Sequence, residues 1–252
     1  MKQSKFDKKY KAFISDIDGT LIPNSPHAVP SKKVIKTIKK ASKIMHIGVA
    51  TSRPMYHAKR IIKILDLSSP CIVGGGSQIF DPKTGKIIWE KRISTEELKQ
   101  LLKISKTYNF ELVDDRDKII DIKNFNPNPL QVWSPGQDPE FIDLIVEKVS
   151  TIPTISINKV PSYIEGKIAL VITRSDATKQ HAILEVAKLL NIKTEEIIGV
   201  GDGYNDFPLL MACGLKVAMG NAVPDLKEIA DYIAPPVEKD GVVDVIERFV
   251  LK

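Results

Sequence analysis

Short apolar runs alternate with amphipathic helical segments at both ends of this 252-residue chain. Four of these runs lie at residues 12–17, 47–50, 71–73 and 197–200. Each run is too short for a helix, whereas the segments that follow them repeat apolar residues every three to four positions. Buried strands that alternate with helices form parallel sheets with helices on both faces. We therefore predict an α/β fold with a doubly wound, Rossmann-like parallel sheet.

The alternation is interrupted in the middle of the chain. Between residues 82 and 175 the pattern predicts short strands, a Pro- and Asn-rich stretch and two helices in an α+β order. The strand–helix alternation then returns. We therefore predict a core formed by residues 1–81 and 176–252, with an α+β cap domain inserted at 82–175.

The residues Asp16-Ile17-Asp18-Gly19-Thr20 follow directly on the first predicted strand. Two carboxylates two positions apart at a strand end can together meet a hard, oxygen-seeking cation such as Mg²⁺. Gly19 allows a sharp turn whose backbone amides can receive phosphate oxygens. For these five residues alone, an ordinary acidic turn is the alternative interpretation.

Polar residues also follow two other predicted strands. Thr51 closes the second strand, and Asp202 closes the strand at 197–200. Because ligands bind at the carboxyl ends of the strands in open parallel sheets, we expect Asp16, Thr51 and Asp202 to converge on one crevice.

This arrangement resembles the haloacid dehalogenase (HAD) superfamily. Its four ordered motifs match here as Asp16–Thr20, Thr51, Lys179 and Gly201–Asp206. The insertion between the second and third motifs is similar in position and length to the cap of the Cof-type sugar-phosphatase branch. That branch commonly has a glycine after the threonine and after the lysine, where this chain has Ser52 and Gln180.

The resemblance implies a phosphatase that works through an aspartyl-phosphate. Asp16 would be the nucleophile, and Asp18 would be the general acid and base. Thr51 and Lys179 would offset the charge of the phosphate. Lys179 has an alternative as a surface lysine in the first turn of a helix, with Lys167 and Lys188 as its rivals in sequence.

The resemblance also implies Mg²⁺ as the cofactor. Asp16 and Asp202 would hold it together with the backbone carbonyl of Asp18, and Asp206 would be a supporting group. The predicted substrate-binding residues are Gly19, Thr20, Arg53 and Asn205. A cationic Arg53 at a helix start is electrostatically unfavourable, which favours an anionic partner, although a plain surface arginine is the alternative.

The predicted substrate is a small phosphorylated metabolite of the sugar-phosphate type. Two rival functions stay open, which are a phosphomutase on the same scaffold and a non-catalytic binding protein. The sequence does not indicate an oligomeric state.

The composition argues against nucleic-acid binding and against insertion into a membrane. The net charge of +6 has no aromatic-interleaved basic run beside it, so we expect no nucleic-acid partner. No stretch approaches the roughly 18 apolar residues of a membrane span, and no apolar signal region follows the lysine-rich residues 1–11, which predicts a cytoplasmic protein. Cys71 and Cys213 fit no metal or redox spacing and are predicted to be free, buried thiols.

Overall fold

The computed structural model describes residues 10–25, 27–121, 126–162 and 164–252. Most of the lysine-rich start that underlies the predicted cytoplasmic location lies outside these ranges. Within them, no helix has both the length and the apolar character needed to cross a membrane. Both cysteines are buried free thiols, as predicted.

The described residues form twelve strands and eight α-helices. The strands are β1 (Ala12–Ser15), β2 (His46–Val49), β3 (Cys71–Val73), β4 (Gln78–Phe80), β5 (Ile87–Glu90), β6 (Val113–Asp114), β7 (Val132–Gln137), β8 (Ile155–Pro161), β9 (Ile168–Arg174), β10 (Ile197–Gly201), β11 (Leu215–Ala218) and β12 (Tyr232–Ile233). The helices are α1 (Lys32–Ala41), α2 (Met55–Ile64), α3 (Thr95–Tyr108), α4 (Pro139–Val149), α5 (Lys179–Leu190), α6 (Phe207–Ala212), α7 (Pro224–Glu228) and α8 (Gly241–Phe249).

A five-stranded parallel sheet forms the centre of the molecule, in the order β12-β11-β10-β1-β2. Strand β1 pairs with β10 on one side and with β2 on the other, so strands from the two ends of the chain lie side by side. All four residues of β1 are buried, as expected for a parallel strand covered on both faces. The predicted α/β class with a parallel sheet is confirmed.

Strand β3 differs from the prediction that it continues the parallel sheet. It meets that sheet through one parallel bridge, between Ala50 and Ile72, and pairs antiparallel with β4. The hairpin of β4 and β5 completes this second, three-stranded sheet. The chain turns back at Gly74–Gly76, where all three glycines have positive φ angles, and this reversal is the physical reason for the antiparallel pairing.

The inserted segment contains a third sheet, in the order β6-β7-β9-β8, whose strands are all antiparallel. Its apolar side chains pack with those of α3 and α4 into a cluster that is separate from the core around the parallel sheet. Helix α3 begins with a capping box, because Ser94 Oγ accepts from the Glu97 amide and a Glu97 carboxylate oxygen accepts from the Ser94 amide. The insertion therefore has an apolar core of its own.

Candidate active site

The carboxyl ends of β1, β2 and β10 meet at one cavity of about 600 Å³. Asp16 follows β1, and its backbone amide donates to the Val200 carbonyl at 2.9 Å, which fixes the two strand ends side by side. Six of the residues predicted for the site line this cavity, namely Asp16, Asp18, Thr51, Arg53, Asp202 and Asn205. The structure therefore brings together residues that are widely separated in sequence.

Lys179 is the first residue of α5, and its side chain is only 2% exposed. Its Nζ donates to Asp16 Oδ1 at 3.0 Å and to Asp206 Oδ1 at 2.6 Å. Burial acts to lower the pKa of Lys179, but the two adjacent carboxylates raise it above its usual value, so the ammonium stays charged. The rival lysines, Lys167 and Lys188, instead form exposed pairs with other partners.

The triple glycine Gly74–Gly76 fixes the position of Lys179. Gly76 has a φ of 111°, and a Cβ built on it would lie 2.2 Å from the carbonyl carbon of Thr178 and 2.5 Å from the amide nitrogen of Lys179. The start of α5 therefore packs directly on the glycine backbone, and no side chain fits between them. The sequence predicted a loop here but gave no sign of this contact.

Three carboxylates gather beside Lys179, because Asp16, Asp202 and Asp206 each offer an oxygen within 4.8 Å of the others. Burial, together with the nearby Asp206 carboxylate, raises the pKa of Asp16 well above its usual range. The same two causes raise the pKa of Asp202 to about 7. Negative charge in this cluster is therefore incompletely compensated by Lys179 alone.

This donor set fits a divalent cation that prefers oxygen ligands. The three carboxylates supply only oxygen atoms, and the raised pKa values of Asp16 and Asp202 indicate that a further positive charge would stabilise their ionised forms. Thr20 Oγ1 donates to Asp202 Oδ1 at 2.7 Å, which orients that carboxylate. Asp206 Oδ2 accepts from the amides of Asp202 and Gly203 at 2.9 and 3.0 Å, so Asp206 fixes the turn that presents Asp202.

The carboxylate of Asp18 lies outside this cluster, in a two-pronged pair with Arg53. Arg53 Nε donates to Asp18 Oδ2 at 2.7 Å, and Nη2 donates to Oδ1 at 2.5 Å. Both groups are largely buried, with 22% of the Asp18 and 12% of the Arg53 side chain exposed. Such bidentate geometry fixes the plane of the carboxylate as well as its position.

A family model described as haloacid dehalogenase-like hydrolase matches residues 13–165 and 147–246. The chain belongs to this family. A curated relative, the 5-amino-6-(5-phospho-D-ribitylamino)uracil phosphatase YcsE of Bacillus subtilis (strain 168), is 26% identical over 252 residues, which span 97% of this chain and 98% of the relative.

Solved HAD structures share the whole fold. A haloacid dehalogenase-like hydrolase from B. subtilis has a TM-score of 0.80 at 21% identity, covering 94% of this chain and 99% of that one. The HAD subclass IIB sugar phosphatase BT4131 has a TM-score of 0.77 at 24% identity, covering 95% and 98%. At these identities the structural likeness shows the fold alone. The predicted HAD family and its capped α/β fold are confirmed, and the predicted phosphatase type is confirmed at the level of class.

The loop after β2 of this HAD hydrolase is held by hydrogen bonds at both ends. Thr51 is 1% exposed, and its Oγ1 accepts from the Arg53 amide at 3.1 Å. Asn205 Nδ2 donates to Ser52 Oγ at 3.1 Å, so the serine that replaces the usual glycine of the Cof-type branch has a partner here. This bond joins the Thr51 loop to the loop that carries Asp202.

Gly19 lies close to Asp202, and sequence reasoning missed the residue that supports it. Gly19 has a φ of 73°, and a Cβ built on it would lie 2.1 Å from Asp202 Oδ2. Asn221 Nδ2 donates to the Gly19 carbonyl at 2.8 Å, while Asn221 Oδ1 accepts from the Val237 amide at 2.9 Å. Its position just past the end of the parallel strand β11 is the signal that could have identified it.

Proposed function

We propose that this HAD hydrolase is a Mg²⁺-dependent phosphatase that acts on small phosphorylated metabolites through an aspartyl-phosphate on Asp16. The observation that carries the proposal is the buried contact of Lys179 with Asp16, which lines the cavity together with Asp18. YcsE is named as a 5-amino-6-(5-phospho-D-ribitylamino)uracil phosphatase and BT4131 as a sugar phosphatase, which supports the same reaction class.

In the first proposed step, an Asp16 carboxylate oxygen bonds to phosphorus as the bond from phosphorus to the leaving oxygen breaks. Asp18 gives its proton to that leaving oxygen. In the second step Asp18 takes a proton from water, which attacks phosphorus and releases phosphate with a free Asp16 carboxylate. Arg53 fixes the plane of the Asp18 carboxylate through its two hydrogen bonds.

The groups around Asp16 would compensate the negative charge of the phosphate and of the carboxylates. When bound, Mg²⁺ would offset the negative charge that the phosphate and the carboxylates bring together. Asp16 and Asp202 would hold it with the backbone carbonyl of Asp18, and Asp206 would fix the Asp202 turn. Lys179 supplies a permanent charge and Thr51 a hydroxyl donor. The substrate phosphate would also meet Asn205. The amides of Gly19 and Thr20, which were predicted to bind it, instead donate to the carbonyls of Ile22 and Ile17 at 2.8 and 3.3 Å.

Residues 82–175 are proposed to act as a cap over a catalytic core of residues 1–81 and 176–252. The cavity is lined from the core side by the strand-end residues and from the insertion by residues of β7, β8 and β9. A bound substrate would thus be enclosed between the two, which excludes bulk water from the reacting phosphate. The cytoplasmic location stays a prediction.

The test is phosphate release from a panel of sugar phosphates and a generic aryl phosphate, with Mg²⁺ or with chelator. We expect release that requires Mg²⁺ and that Asp16→Asn abolishes, whereas Asp225→Asn, an exposed aspartate on α7, leaves it unchanged. Release that survives Asp16→Asn would remove Asp16 as the nucleophile. An isomeric sugar phosphate in place of free phosphate would identify a mutase.

The covalent intermediate needs its own measurement. If all substrates pass through one aspartyl-phosphate, an added alcohol competes with water for the same species. The ratio of transferred to released phosphate should then be the same for substrates with different leaving groups. A ratio that depends on the leaving group would contradict a common intermediate.

A further inference from the structure

The sheet of the insertion presents one face to its own helices and the other to the cavity. Successive side chains on a strand point to opposite faces. Val132 on β7 and Leu170 on β9 belong to the apolar cluster packed against α3 and α4. Their neighbours in sequence, Trp133, Ala169 and Val171, line the cavity above the strand ends.

The pairing of the strands makes this cavity face continuous. Trp133 lies opposite Val171 in the β7–β9 ladder, and Val160 lies opposite Ala169 in the β8–β9 ladder. Directly opposed residues on one face of an antiparallel pair are in side-chain contact. Among the described residues, these four therefore form one apolar wall, which we call the cap wall. Pro135, Pro161 and Ile164 also line the cavity from the insertion, as do the polar residues Asp117, Gln131 and Ser162, which lie outside the cap wall.

The cap wall is poorly matched to a sugar or other polyol, whose surface consists mainly of hydroxyl groups. A hydroxyl moved from water to an apolar surface without a hydrogen-bond partner loses free energy. A planar unsaturated ring instead gains by stacking on an indole and by removing apolar area from water. The cavity volume of about 600 Å³ lies within the range of sites that enclose ligands of drug size, so it has room for such a ring beyond the phosphate.

We propose that the preferred substrates are phosphate monoesters whose leaving group ends in a planar unsaturated ring, and that Trp133 is the residue that selects for this ring. The inference rests on the proposed phosphatase function and deepens it by naming the substrate class. The phosphate lies at Asp16, and the ring lies against the cap wall at Trp133 and Val171.

The test compares matched substrates that differ only by the ring. Uridine 5′-monophosphate is paired with ribose 5-phosphate, and flavin mononucleotide is paired with ribitol 5-phosphate. In each pair the reacting end is the same. We expect the wild-type kcat/KM to be about tenfold or more higher for at least one ring-bearing member over its partner, the size expected for base stacking on an aromatic side chain.

Substitutions of Trp133 distinguish a role in selecting the ring of the substrate from a role in maintaining the fold. Trp133→Ala should lower kcat/KM for the ring-bearing substrate about tenfold or more and leave the ring-free partner within about threefold. Trp133→Phe, which keeps an aromatic face, should retain most of the preference. Trp89→Ala is the matched control, because this second tryptophan packs against the core cluster and does not line the cavity.

The outcomes distinguish the two proposals. If the wild type hydrolyses the ring-free members as fast as the ring-bearing ones, or if Trp133→Ala slows both members of a pair equally, the phosphatase stands and the selection for a ring is wrong. If neither pair nor a generic aryl phosphate is hydrolysed with Mg²⁺ present, the phosphatase proposal falls and the substrate class falls with it.

Discussion

Lys179 Nζ lies 3.0 Å from Asp16 Oδ1, although the two residues are 163 positions apart in the sequence. Both side chains are buried, with 2% and 7% exposed. An unpaired charge at such a position would be strongly unfavourable, so loss of Lys179 would leave the carboxylates of Asp16 and Asp206 without this partner. The pair also joins the two segments that flank the insertion. After β9 the chain must therefore return to the parallel sheet so that Lys179 lies at the end of β1.

Lys179→Met should reduce activity severely. The substitution keeps the length of the side chain but removes the charge that offsets Asp16 and the incoming phosphate. Loss of one preorganised electrostatic group typically lowers the rate by about 10²–10³-fold. Steady-state kinetics with Mg²⁺ and an aryl phosphate would measure this.

Lys188→Met is the control for that experiment. Lys188 lies on the same helix, and its side chain is 71% exposed and pairs with Glu185. It should keep full activity, since an exposed pair of this kind contributes little. A loss of less than about threefold for Lys179→Met, in a variant shown to be folded by circular dichroism, would exclude Lys179 from the chemistry.

Much of the core and of the site could be predicted from the sequence, because the residue patterns that indicate them lie in short continuous segments. The apolar run before Asp16 and the polar residues at each strand end can be read without knowledge of distant contacts. Lys179 was placed by its order among the family motifs even though Gln180 departs from them. The antiparallel pairing of β3 was missed, because it depends on the reversal at Gly74–Gly76 and not on the apolar run itself.

Contacts between distant segments account for what the sequence could not predict. Asn221 donates a hydrogen bond to Gly19, which lies 202 positions away in the sequence. The local sequence around a loop asparagine does not indicate such a partner. The bond between Asp18 and Arg53 is similar, since either residue alone fits an exposed position. Side-chain pairing of this kind is set by tertiary packing, and periodicity along the chain does not report it.

Binding of Mg²⁺ should weaken as the pH falls below about 7. The pKa of Asp202 in the metal-free protein is raised to about 7 by burial and by Asp206. A carboxylate must lose its proton to bind a metal, and the raised pKa of Asp16 acts in the same direction, so the apparent affinity should fall by about tenfold or more per pH unit below about 7. Calorimetric titration with Mg²⁺ from about pH 5.5 to about pH 8.5 would measure this, and a flat affinity would contradict it.

Asp202→Asn should stabilise the metal-free protein at alkaline pH while removing metal binding. The Asp202 pKa rises from its usual value near 4 in the unfolded chain to about 7 in the fold. Its contribution to stability is therefore present at low pH and is lost as the pH rises through about 7. The asparagine carbonyl can still accept from Thr20, so the variant avoids this loss.

Urea denaturation in chelator would compare Asp202→Asn with the wild type. At about pH 8 the variant should be more stable by about 1 kcal/mol or more, and the difference should shrink towards about pH 5. Saturating Mg²⁺ should raise only the wild-type stability, because a ligand stabilises the state that binds it. A variant less stable than the wild type at both pH values would show that the carboxylate is not under electrostatic strain.

Gly76→Ala should disturb the site through the start of α5. Any residue other than glycine at a φ of 111° is strained, and here the added Cβ would also meet the backbone of Thr178 and Lys179 at 2.2–2.5 Å.

Gly85→Ala is the matched control, since Gly85 has a φ of 72° and nothing within 4 Å of an added Cβ. The control should lose about 1–2 kcal/mol of stability without loss of activity. Gly76→Ala should lose more of both, measured by urea denaturation and by kcat, because the start of the helix that carries Lys179 must shift relative to Gly76. Equal behaviour of the two variants would mean that Gly76 serves only its backbone angle and has no part in placing Lys179.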